Sequence, residues 1–201
     1  MDKKFIDIFR NKLEPNDVVL EEWFGESVPY YCNIVGYHGT RLFSEELTNL
    51  KRNKFKTPNM DFFYQKLKHI ENKCYRTYIE KKLKELRYTQ SDNKIYLKFE
   101  KNDFCDDSLV FLNNWGGETI YNLYDQNGTE SIYEKNIGRY LRKRTKPYIV
   151  VCRVSYKCYK HNCAYGNCGC FDTKDVDIID IVEVTDDIMN EFKELDYGEQ
   201  Y

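Results

Sequence analysis

Residues 37–41 read YHGTR, and three side-chain chemistries meet there within one turn of chain. His38 supplies an imidazole, the side chain whose proton is most easily moved near neutral pH. Gly39 has no side chain, so a ligand can approach its backbone N–H and C=O closely enough to pair with a carboxamide. Thr40 adds a hydroxyl, and Arg41 adds a planar guanidinium fork suited to phosphate. A lone histidine is more often a core or surface residue than a ligand. With these neighbours, the group can hold a polar molecule that carries a ribose, an amide and phosphates.

The elements around the motif would put it at a strand end. Residues 30–38, YYCNIVGYH, are rich in aromatic and β-branched residues and read as a strand. Ser44 is a plausible N-cap of a following helix, with Glu45 and Glu46 favoured in its first turn by the helix dipole. Leu47 and Leu50 then face inward, and Lys51, Arg52 and Lys54 suit the C-terminal turn.

Elsewhere, Phe5, Ile8, Phe9 and Leu13 repeat at helical spacing over 3–13, and Pro15-Asn16-Asp17 closes that helix. Pro58-Asn59 opens a second long helix whose apolar series, Phe63, Leu67, Ile70, Cys74, Tyr78 and Leu83, carries it to Leu86. A turn at 90–93 leads into a strand at 94–99, KIYLKF. Residues 109–112 form a short element of undecided type, and 119–125 read equally as strand or helix. Residues 131–143 read as helix. Pro147 precedes a strand over 148–156, and 176–184, VDIIDIVEV, is expected to be its hairpin partner across a cysteine-rich hairpin loop at 157–171. A last helix spans 186–195. Early helices and late strands suggest one α+β domain over 1–201.

Composition sets outer limits. The chain has 201 residues, 41% hydrophobic and 32% charged, with net charge −2, which describes a globular rather than a disordered chain. No apolar run approaches the roughly 20 residues that cross a membrane. Asp7 interrupts the N-terminal MDKKFIDIF before a signal-peptide core forms, so a cytoplasmic location and no membrane partner are expected. In a reducing compartment the eight cysteines would be thiols, with Cys32, Cys74, Cys105 and Cys152 as small core residues.

The YHGTR motif, followed by SEELTNLKRNKF, resembles the opening of ADP-ribosyltransferases of the PARP-like and diphtheria-toxin-like kind. It is also similar to the Tyr-His-Gly-Thr opening of RNA 2′-phosphotransferases, which share that fold. The likeness covers about 20 residues closely, and the rest by order of elements. It implies an ADP-ribosyltransferase-like α+β domain built on a mixed or antiparallel split β-sheet, with NAD as co-substrate. His38 would bond the nicotinamide ribose 2′-OH, Gly39 would hold the carboxamide by its backbone, and Thr40 and Arg41 would complete the NAD site. Tyr96 in KIYLKF is the candidate for the aromatic that stacks on nicotinamide, with Tyr75, Tyr78 and Tyr88 competing. Glu118 in NNWGGETIY is the candidate for the catalytic glutamate, with Glu100 and Glu183 behind it. Arginine-specific members carry Glu-x-Glu or Gln-x-Glu, whereas Gly116 stands two residues before Glu118, which argues against that acceptor class.

Two further clusters stand apart. Arg139, Arg142, Lys143, Arg144 and Lys146 form a basic run, either a solvated helix end or a phosphate contact for NAD or RNA. CYKHNCAYGNCGC, 158–170, holds Cys158, His161, Cys163, Cys168 and Cys170. Zinc takes thiolate and imidazole ligands, so Cys158, Cys163, Cys168 and Cys170 are candidates for a structural zinc, although their spacing is not that of paired Cys-x-x-Cys. Otherwise the cluster is a loop of reduced thiols able to form a disulfide on oxidation.

Three functions compete. The first is an NAD-dependent ADP-ribosyltransferase acting on a nucleic-acid or protein acceptor. The resemblance implies a toxin or anti-phage effector with an antitoxin partner. The second is an RNA 2′-phosphotransferase-like enzyme, which needs several arginines around the histidine; Arg41, Arg76 and Arg87 are those available. The third is a non-enzymatic, zinc-stapled nucleic-acid-binding module, which would show salt-sensitive binding and no NAD turnover.

Overall fold

A computed structural model describes residues 4–25, 27–53, 55, 73–85, 94–100, 143–163 and 168–197. In chain order these form α1 (Phe5–Phe9), β1 (Asp17–Val18), β2 (Asn33–Leu42), α2 (Ser44–Asn53), α3 (Lys73–Glu85), β3 (Lys94–Lys98), β4 (Lys146–Ser155), α4 (Tyr156–Asn162), β5 (Cys168–Asp172), β6 (Asp177–Glu183) and α5 (Asp186–Tyr197). The fold is α+β. One six-stranded sheet runs β5-β3-β2-β4-β6, with β1 added parallel to the start of β2 and every other pairing antiparallel.

β2 is the middle strand, and its composition explains why. Ile34, Val35 and Tyr37 are buried on alternating faces, so the strand is apolar on both sides, as a central strand must be. Each face builds its own core. On the first face Val35 and Tyr37 pack with Ile149, Val151 and Val182 under α1 and Ile188 of α5. Phe5, Phe9 and Tyr37 meet edge to face at centroid distances of 5.3, 5.6 and 6.1 Å. On the second face Ile34 packs with Leu97, Phe99, Val150, Cys152, Val154 and Phe171, covered in part by Leu50, Phe55 and Tyr159. Gly36 belongs to this face: a Cβ there would stand 2.8 Å from the Phe99 ring, so only glycine lets the ring lie across β2.

The sheet is pinned at one end by charge. Asp17 has a fully buried side chain and accepts from Asn33 Nδ2 at 3.2 Å, from Glu14 N–H at 2.9 Å and from Arg153 Nη2 at 3.1 Å. Arg153 also pairs with Glu14. The network joins β1, β2 and β4 across three strands.

Several boundaries differ from the sequence reading. The first helix stops at Phe9 and continues as a 3-10 turn over Arg10–Lys12. β2 does not end at His38 but continues through Gly39-Thr40-Arg41 to Leu42, because β4 pairs with it along its whole length. α2 is entered one residue earlier than a Ser44 cap implies. Phe43 donates its N–H to Glu46 Oε2 at 2.8 Å, the reaching-back half of a capping box. The expected cysteine-rich loop contains a helix, α4, and an edge strand, β5, that pairs with β3. β6 does pair antiparallel with β4, but α4 and β5 intervene, so the two are not a simple hairpin. Among the described residues no helix is long and apolar enough to cross a membrane.

Candidate functional site

The site is built where β2 and β3 part. The two strands share one paired position, Tyr37 with Lys98, and the ladder does not continue although β3 extends back to Lys94. The direction of the β2 backbone at this point follows from two fixed hydrogen bonds. Asn33 N–H donates to Asn16 O at 2.9 Å, away from β4. Pro147 O accepts from Val184 N–H at 2.9 Å, away from β2. Pro147 is the register partner of Arg41, and the register between β2 and β4 is unbroken from Asn33 to Leu42. Alternation then turns the N–H and C=O of residues 37, 39 and 41 towards the β3 edge. Past Tyr37 no described residue of β3 pairs there, so Gly39 presents its backbone donor and acceptor to the gap between the strands.

His38 bridges that gap. Its Nδ1 lies 3.0 Å from Tyr96 O. A carbonyl oxygen only accepts, so Nδ1–H is the donor. The imidazole stands on the second face, edge to face with Phe55 at 6.0 Å. Tyr96 belongs to the other face, because Lys98 is opposite Tyr37 and side chains alternate along β3. Extending that register sets Tyr96 across from Gly39. Tyr96 is 44% exposed, and its hydroxyl donates to Cys168 Sγ at 2.7 Å.

Thr40 and Arg41 face inward. Both are 9% exposed, and Arg41 donates from Nε to Thr145 Oγ1 at 3.0 Å and from Nη2 to Thr145 O at 2.8 Å. These bonds turn the guanidinium towards the start of β4, so in this state its fork serves the scaffold.

Of the three glutamate candidates, Glu118 lies outside the described residues. Glu183 ends β6 and sits beside Tyr148, which in turn sits beside Thr40, so all three point to the His38 face. Lys146 Nζ donates to Glu183 Oε1 at 2.6 Å, and this bond raises the pKa of the ammonium. Burial, then the Glu183 charge, raises the pKa of the Tyr148 hydroxyl. Glu100 follows β3, two residues beyond the Lys98 pairing. Tyr78 lies on α3 and is half-buried. The Tyr75 side chain, Tyr88 and Arg87 are outside the described residues, as are Arg139, Arg142, the expected elements at 109–112 and 119–125, and all but Lys143 of the helix expected over 131–143. Sequence reasoning missed Phe55 and Tyr148. Phe55 has no periodic signal after the end of α2, and Tyr148 looked like an ordinary strand aromatic.

The cysteines divide between the faces of the sheet. Cys158 and Cys163 pack against the second-face core. A Cβ on Gly169 would come within 2.5 Å of Cys163 Sγ, which puts that sulfur on the Gly169 side of β5. Cys168 and Cys170 flank Gly169 and therefore point the other way. Burial, then the neighbouring Cys168 charge, pushes the Cys163 thiol up to about 12. Among the described residues no group of three or more His, Cys, Asp or Glu could hold a metal ion. Cys158, Cys163, Cys168 and Cys170, the zinc candidates, therefore do not form a converging ligand set. Cys32 and Cys152 are buried thiols as expected, Cys74 is exposed rather than core, and Cys105 is outside the described residues.

Compared with protein-family models, with curated proteins and with solved structures, the chain matches none.

Proposed function

We propose that the protein is an NAD-dependent ADP-ribosyltransferase and that the β2–β3 gap is where the nicotinamide end of NAD binds. One observation carries the reading: His38, Gly39 and Tyr96, three residues that the motif resemblance assigns to one ligand, come together at this gap although 58 residues separate His38 from Tyr96. The backbone of Gly39 offers a donor and an acceptor to a carboxamide in the plane of the sheet. Tyr96 offers an accessible ring on the same face as the bare Gly39 α-carbon. His38, held through Nδ1, stands on the other face, where the resemblance has it bond a ribose hydroxyl.

In this reading the protein's task is to let nicotinamide leave the anomeric carbon. Gly39 fixes the leaving group in one geometry, which removes orientational freedom before the bond breaks. His38 accepts the ribose 2′-OH hydrogen bond. Glu118 supplies a carboxylate against the positive charge that grows on the ribose, as carboxylates do in glycoside hydrolysis. The same carboxylate can take the proton of the incoming acceptor hydroxyl or amine. The acceptor is a macromolecule, nucleic acid or protein, and the toxin or anti-phage role with an antitoxin partner belongs to the same proposal.

The test is nicotinamide release from NAD by the purified protein, alone, with RNA and with cell lysate, beside Glu118→Ala and His38→Ala. Release by the wild type, lost in both variants, is the expected result. No release under any of these conditions from a protein shown to be folded would overturn the proposal and favour a non-enzymatic binding module.

A further inference from the structure

The ring of half-exposed Tyr96 does not stand unsupported. It projects from β3 towards the edge strand β5, where its hydroxyl donates to Cys168 Sγ at 2.7 Å. β3 and β5 are paired without a break from Lys94 with Asp172 to Lys98 with Cys168, so Cys168 is rigidly placed relative to Tyr96. Cys168 is diagonal to Tyr96 in that register, two pairs along from its direct neighbour Cys170, and a tyrosine is long enough to reach such a diagonal position. Side-chain alternation keeps Cys168 on the Tyr96 face and leaves Cys163 on the other. The sulfur thus has a defined use that neither core packing nor a metal accounts for.

We infer that Cys168 is a positioning residue: its sulfur accepts the Tyr96 hydroxyl and fixes the angle at which the Tyr96 ring meets a nicotinamide held by Gly39. This rests on the transferase reading for its ligand. The hydrogen bond itself is a property of the free protein. An aromatic platform that must be frozen on binding costs affinity, and one already frozen does not. A single hydrogen bond to a side chain is of a size to change affinity by about three- to tenfold. The effect falls on ground-state binding, so it appears in KM for NAD far more than in kcat.

Two experiments separate the anchor from the activity. The first compares alkylation of Cys168 and Cys170 by N-ethylmaleimide, followed by mass spectrometry, in wild type and Tyr96→Phe. Loss of the hydroxyl should change the Cys168-to-Cys170 rate ratio severalfold, with Cys170 as the internal reference. An unchanged ratio overturns the anchor whatever the protein's activity. The second measures steady-state nicotinamide release for Cys168→Ala and Cys168→Ser. The expected result is a KM for NAD raised about three- to tenfold in Cys168→Ala with kcat within about twofold, and recovery in Cys168→Ser, whose hydroxyl accepts the same bond. Equal KM values in Cys168→Ala and wild type overturn the positioning role. A changed alkylation ratio beside a wild type that releases no nicotinamide leaves the anchor standing, and overturns the transferase reading together with the positioning role built on it.

Discussion

Removing the Asp17 carboxylate tests how the strand that carries His38 is held. The side chain of Asp17 is fully buried and accepts three hydrogen bonds, from Asn33 Nδ2, Glu14 N–H and Arg153 Nη2. Its partner Arg153 is only 16% exposed, and Arg153 Nε already has no hydrogen-bond partner. In Asp17→Ala the guanidinium would keep Glu14, which is 64% exposed and so weakly coupled. Breaking a buried pair by deleting one member costs about 3–5 kcal/mol, because the other charge stays desolvated. Glu14 recovers a part, so about 3 kcal/mol is expected. That is a large fraction of the stability of a domain this size, which is about 5–15 kcal/mol. Equilibrium urea unfolding followed by far-ultraviolet circular dichroism would read it as a lower midpoint at unchanged slope. Asp17→Leu combined with Arg153→Met should recover much of the loss, since no lone charge remains. A loss below about 1 kcal/mol in Asp17→Ala would refute the idea that this network pins β1, β2 and β4 together.

Other outcomes follow from single contacts. Gly36→Val should cost about 1–3 kcal/mol through the Phe99 ring that its Cβ meets at 2.8 Å, and Phe99→Leu in the same chain should recover part of it in the same urea assay. Burial raises the Cys152 thiol well above its usual 9.0, so the folded state keeps this proton while the unfolded chain releases it. Stability is therefore whole below about pH 9 and falls above it, by up to about 1.4 kcal/mol per pH unit, and Cys152→Val should flatten that part of an unfolding series run to pH 10.5. Thr145→Val removes the Oγ1 acceptor of Arg41 Nε and should lower the thermal midpoint by an amount worth about 1–2 kcal/mol, with Thr145→Ser close to wild type.

What could be seen from the sequence was local. The apolar run into His38, the acidic first turn of α2 and the β-branched strand at β4 announce themselves within a few residues, and each is present. Long-range pairing is where the sequence falls silent. CGCFD falls almost wholly within the expected hairpin loop at 157–171, and its glycine weakens any strand pattern, yet it becomes β5 by pairing with β3, 74 residues earlier in the chain where Tyr96 meets Cys170. β2 outlasts the apolar pattern because β4 accompanies it to Leu42, so residues with polar side chains stay in strand. The motif residues His38 and Gly39 lie where the β2–β3 ladder ends. It did not tell that Arg41 turns inward onto Thr145, since an arginine after a glycine looks the same in sequence whether it meets a phosphate or a backbone carbonyl.

The measurement that bears most directly on the proposed NAD site at the β2–β3 gap is titration of nicotinamide into the isotope-labelled protein, followed by amide nuclear magnetic resonance. If Gly39 offers its backbone to a carboxamide, the Gly39 N–H resonance shifts saturably and further than those of its β2 neighbours on the β4 side, Gly36 and Thr40. Saturable binding that leaves Gly39 unmoved would contradict the account, and so would a complete absence of binding by both nicotinamide and NAD.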